Sequence, residues 1–87
     1  MSIFASLMTD TVQVIKPNGE ESRKVKASVQ KNKIYIDDIR DLQIVRGDVI
    51  GRVRSDGVIE KYHVIDENFS EGLGQIPPHY NLNVQRI

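Results

Sequence analysis

The sequence contains no cysteine, which excludes disulfides, thiolate metal ligands and any mark of an oxidising compartment. Neither sign of charge is in excess. Twelve basic and twelve acidic side chains give a formal net charge of +0, which argues against strong nonspecific attraction to nucleic acid or anionic membrane and leaves only local patches. No apolar run approaches the roughly 20 residues of a membrane-spanning helix. The opening MSIFASLM is apolar, but no basic residue precedes it and it is too short for a secretory leader with its cleavage site. A cytoplasmic location, or assembly inside a cell, is the expectation. His63 and His79 are the two imidazoles, without helical ligand spacing, so neither a metal nor a cofactor is expected. There is no internal repeat, low-complexity tract or linker.

At 87 residues the chain has room for one core, and residues 1–87 are read as one β domain. Residues 1–8 form an apolar segment that packs on it or extends from it. Domains of this size bury only about 60–65% of the surface their unfolded chain exposes, so stability is modest.

The dominant signal is alternation with period two, the mark of half-buried strands. Val12 and Val14 alternate with Thr11 and Gln13. After the turn residues Pro17-Asn18-Gly19-Glu20, Val25, Ala27 and Val29 face one way and Lys24, Lys26 and Ser28 the other. Lys31-Asn32-Lys33 turns the chain again, and Ile34 and Ile36 resume the pattern. Residues 37–48 read as a helical turn, from Ile36, Ile39 and Leu42 spaced by three, or as a loop running into a short strand at Leu42–Val45; turn plus loop is preferred. Val49–Arg54 and Val58–Asp66 flank Ser55-Asp56-Gly57, a strong hairpin cue.

Two registers suit that hairpin. A two-residue turn at Asp56-Gly57 aligns Val49, Val53, Val58, Tyr62 and Val64 but opposes Arg52 and Lys61. A three-residue loop with Gly57 as a bulge pairs Arg52 with Glu60 but scatters the apolar face. The first is preferred. Residues 67–77 read as a long connection. A last strand runs from about His79, with Tyr80, Leu82 and Val84 on one face and His79, Asn81, Asn83 and Gln85 on the other. The fold predicted is all-β: a small closed or partly open antiparallel β-barrel of five to six short strands, with a compact β-sandwich as the alternative.

The stretch GQIPPHY draws attention to His79. A nucleophilic triad has no nucleophile elbow here, and Asp37, Asp38 and Asp41 read as solvated acids in a turn. His79 is read as a surface or loop-capping residue at a strand start that Pro77 and Pro78 direct. No catalytic residue is assigned, and no enzyme is expected. Arg46-Gly47-Asp48 is read as a turn requiring positive φ at Gly47.

Two surfaces stand out. Ile50, Ile59 and Ile65 form a second apolar face of the hairpin. Together with Phe69 and Leu73 of the 67–77 connection they are candidate protein-contact residues. Arg23, Lys24, Lys26, Lys31 and Lys33 make a basic run without an intervening acid. With Tyr35 they are the nucleic-acid candidates, although lysines on sheet edges also oppose aggregation.

The order LMTDTVQVIKPNGE, VKASVQ, RGDVIGRVRSDGVIEKYHVID and IPPHYNLNVQRI resembles small β-barrel proteins of phages and prophages, of the head–tail joining or tail-completion type. The matching pieces are Gly47-Asp48 opening a hairpin, Glu60, Tyr62 and Val64 in the next strand, and Tyr80 to Val84 in the closing strand. The resemblance implies a structural or assembly protein without catalytic residues. Its partners would be other phage structural proteins or further copies of itself. The alternative is a small-barrel nucleic-acid-binding module built on the 23–33 basic run.

Overall fold

The computed structural model of the chain describes residues 8–87. Apart from Met8, the apolar N-terminal segment lies outside the described residues. Seven strands follow in order: β1 Asp10–Ile15, β2 Val25–Val29, β3 Lys33–Ile36, β4 Val49–Val53, β5 Ile59–Asp66, β6 Phe69–Ser70 and β7 His79–Arg86. They pair in the order β3-β2-β1-β4-β5-β7-β6, and β3 also pairs with β7. Six strands therefore close an antiparallel barrel, with β6 as an additional strand, and the described residues contain no helix. Closure removes the unpaired edges that an open sheet of this size would expose.

Alternation decides what fills the barrel. Val12, Val14, Val25, Ala27, Ile34, Ile36, Ile50, Tyr62, Val64, Leu82 and Val84 form its buried core. Burial on β5 alternates strictly, with Glu60, Tyr62 and Val64 turned in. The faces expected for β1, β2, β3 and β7 are the ones observed. Across β4–β5 the register is Val53 with Ile59, Arg52 with Glu60 and Ile50 with Tyr62. The preferred two-residue turn is thus corrected to the three-residue loop. Arg54 N–H donates to the Val58 carbonyl at 2.9 Å, and Gly57 takes φ +89° as the bulge residue. Ile50, expected on an outer face, is fully buried in the core and is withdrawn as a contact residue.

The two ends of the barrel close differently. At one end, the 37–48 connection folds over the mouth. Ile44 is fully buried there, and Ile39 and Leu42 pack against the core. Asp48, 1% exposed, fixes the lead-in to β4. Its Oδ2 accepts Val45 N–H at 3.0 Å and Lys16 Nζ at 2.6 Å, while Gly47 supplies the φ of +95° that the turn needs. At the other end, the inward positions carry charge. Arg52 donates to Asp10 and to Glu60, and Arg54 and Arg86 also approach Glu60.

The 67–77 segment is more ordered than a long connection. Asp66 pairs with Asn83, Phe69 with Tyr80, Ser70 with His79 and Leu73 with Ile76. The β5–β7 hairpin therefore continues through β6, beside β3 as far as Tyr80, and becomes a two-stranded arm beyond it. It ends in a tight turn at Gly74-Gln75, with Gly74 at φ +61° in the first central position. The ladder there joins the two sides of one hairpin, neither with alternation of its own, so local periodicity gave no sign of it.

Candidate interaction surfaces

Among the described residues, the arm carries the most exposed large apolar side chain, Leu73 at 84%. Phe69, on the face of its partner Tyr80, meets that ring edge-on at 5.4 Å between centroids and still stands 47% exposed. Gly72 makes the arm's geometry possible. At φ +84°, a Cβ there would stand 2.3 Å from the Ile76 carbonyl oxygen. Leu73 and Phe69 are thus both exposed on the segment that extends β5 toward the arm's turn.

Ile59 and Ile65 are outward and exposed on β5. They do not share a face with Ile50, which points in. The neighbours of Ile59 are instead Gly51 and Ile15. A Cβ at Gly51 would lie 3.2 Å from Ile59 Cγ2 and 3.3 Å from Ile15 Cδ1, so the two isoleucines lean over the glycine from either side. Sequence reasoning did not single out Ile15 or Gly51, because their approach depends on β4 lying between β1 and β5.

The basic run is divided by the fold. Arg23 is drawn to the 37–48 connection, where both its Nη atoms reach the Asp38 carboxylate at 3.1 Å. Arg40 holds the same carboxylate, and these hydrogen bonds, Arg40's above all, lower the Asp38 carboxyl to about 2. Lys24 and Lys26 extend outward from the start of β2, Lys33 from β3, and Lys31 lies in the turn between those strands. Lys26 Nζ donates to Thr11 Oγ1 at 3.2 Å. Lys24 borders a polar depression of about 580 Å³ shared with Thr9, Thr11, Arg52, Arg54 and Ser55.

Tyr35 also faces outward but does not stand clear as a stacking platform. Its ring stacks on His79 at 4.6 Å between centroids, and burial, with Asp37 beside it, pushes its hydroxyl up. The His79 Nδ1 lies 2.9 Å from the Pro77 carbonyl oxygen. The histidine of GQIPPHY therefore packs on Tyr35 and ties down the strand start.

The charged end of the barrel is a network with every member engaged. Arg52 Nε and Nη2 reach Asp10 Oδ1 at 3.0 and 2.9 Å, and its Nη1 reaches Glu60 Oε1 at 3.1 Å. Asp10 Oδ2 accepts Val29 N–H at 3.0 Å. Tyr62 donates its hydroxyl to Glu60 at 3.0 Å. That bond, more than the arginines, holds the Glu60 carboxyl below the usual range against its burial. Burial, followed by the same Glu60 partner, pushes the Tyr62 hydroxyl up. The arrangement neutralises charge at the mouth of a barrel and has the pattern of a structural lock.

Among the described residues no group of three or more His, Asp or Glu side chains is placed to hold a metal ion, and no helix is long and apolar enough to cross a membrane. No family model, no curated protein and no solved structure matches the chain.

Proposed function

We propose that the protein is a non-enzymatic structural or assembly protein of a phage or prophage, working through protein–protein contacts at a head–tail or tail junction. The observation that carries the contact role is the arm: a hairpin that outgrows the closed barrel, with exposed Phe69 at its base and exposed Leu73 beside its turn. A side chain as exposed as Leu73 contributes little to the fold and leaves apolar surface for a partner to cover. The setting rests on the resemblance of the pieces around Gly47-Asp48, Glu60, Tyr62, Val64 and Tyr80–Val84. On this reading the chain is made in the cytoplasm and built into the virion, beside other phage structural proteins or further copies of itself. The test is its presence in nuclease-treated, density-purified particles from a producing strain. The chain should be found in them, and Leu73→Lys, which alters no buried contact, should deplete it. Particles lacking the protein would defeat the reading.

A second reading, nucleic-acid contact, is favoured by the shared outer surface of Lys24, Lys26 and Lys33. Fluorescence anisotropy with labelled single-stranded and duplex oligonucleotides at two salt concentrations tests it. Saturable binding that weakens with salt and is lost in Lys24→Glu would establish it.

A further inference from the structure

We propose that the free edge of the β6 arm is a docking strand for an extended, basic segment of a partner protein. This rests on the protein-contact reading above and names the partner's chemistry. In the barrel every strand has two neighbours, but where the hairpin outgrows it this ceases to hold. The lead-in to β4 leaves β5 at Val64, whose carbonyl accepts Gly47 N–H at 3.0 Å and whose N–H donates to Asp48 O at 2.9 Å. Beyond that point the β5–β6 side is paired with β7 alone, and β6 is the terminal strand of the sheet. Asn68 O accepts Asn81 N–H at 2.9 Å. By antiparallel alternation, the backbone N–H and C=O of Phe69 therefore face away from β7. An extended chain can add to such an edge through main-chain hydrogen bonds.

The two sides of the arm are not alike. On the β7 side, Pro77 and Pro78 remove backbone donors just where pairing with β3 ends at Ile36–Tyr80. That blunts the edge as protected edges are blunted. The β6 side carries no proline. It has Asp66, Glu67 and Glu71, and residues 65–78 contain no lysine or arginine. Self-pairing about Asn68 and Phe69 would set Asp66 of one copy against Glu71 of the other, an unfavourable like-charge pair. The charge therefore selects a basic strand over a second copy. An open groove of about 450 Å³, lined by Arg46, His63, Val64, Ile65 and Asp66, lies where β4 departs. It offers a place for an apolar side chain of the incoming strand.

The test uses three labelled peptides on the full chain: alternating valine and lysine, alternating valine and glutamate, and alternating proline and lysine. Only the first combines basic charge with strand pairing. It should bind, perturb the backbone amides of residues 65–72 in NMR spectra, and lose binding when its own amides are N-methylated. Glu67→Lys with Glu71→Lys should weaken it about tenfold or more; both side chains lie on the arm, away from the barrel core. Equal binding of the proline–lysine peptide, perturbation centred on Lys24 and Lys26, or no binding of the valine–lysine peptide would overturn the proposal. So would dimerisation through residues 65–72. Loss of the docking strand with particle incorporation intact would leave the assembly reading standing. Peptide binding by a chain absent from particles would leave the edge and remove the setting.

Discussion

Among the described residues, Asp41 is the non-glycine residue with positive φ, at 60°. It occupies the third position of a turn in which Leu42 N–H donates to Ile39 O at 3.0 Å, where glycine is favoured. Asp41→Gly is therefore expected to raise stability by about 0.5–1 kcal/mol, measured by urea denaturation. Three residues earlier, Asp38 binds Arg40 and Arg23, and its carboxyl sits at about 2 against an ordinary 3.8. A folded-state value below the unfolded one stabilises above the unfolded pKa and is lost as pH falls through the folded one. The contribution of Asp38 is thus complete above about pH 4 and disappears toward pH 2. Asp38→Asn should flatten the acid side of the stability profile in that window, read from thermal midpoints at stepped pH. The side chain is substantially exposed, so solvent screens the effect and it is modest.

Strand and hairpin define the next scale. The β4–β5 register turns on a competition that the loop residues alone leave even: Ser55-Asp56-Gly57 serves either a two- or a three-residue turn. The structure adopts the register that opposes Arg52 to Glu60 and buries Ile50 with Tyr62. The apolar face is not scattered, because the two inward charged residues fall at the barrel mouth and neutralise each other. On the arm, Gly72 leaves no room for a side chain, with the Ile76 carbonyl oxygen and Pro77 backbone inside contact distance of any Cβ. Gly72→Ala should cost on the order of 1–3 kcal/mol, or be relieved by opening of the arm. Amide exchange would then rise at residues 68–81 while the barrel strands keep their protection.

At the scale of the whole molecule, closure leaves two mouths. One is stopped by Ile39, Leu42 and Ile44, the other by Asp10, Arg52, Glu60 and Arg86. Removing the central cation should be most harmful where the Glu60 carboxylate, held low by Tyr62 and Arg52, is ionised. Arg52→Ala is expected to lower the thermal midpoint at neutral pH, and the deficit should shrink as pH falls through the carboxylate range. A deficit independent of pH would mean that Arg52 acts through its packed aliphatic stem instead.

The sequence by itself determined which segments are the barrel strands, though not β6, and which face of β1, β2, β3 and β7 turns inward. Val12 and Val14, Val25 to Val29, Ile34 and Ile36, and Tyr80 to Val84 alternate with polar residues, and alternation is a local property. It also placed His79 as a strand-start residue and put Phe69 and Leu73 at the surface. Tertiary structure alone decided three things. Closure and burial chose the β4–β5 register and so moved Ile50 from the surface to the core. The placement of β4 between β1 and β5 brought Ile15 and Ile59 over Gly51. The arm arose because β7, long enough to serve β3, β5 and β6 at once, gave residues 66–73 a partner that they do not announce in their own pattern. The register and the Gly51 contact depend on barrel closure between strands distant in sequence, and the arm on a ladder without alternation of its own, so no local period encodes them.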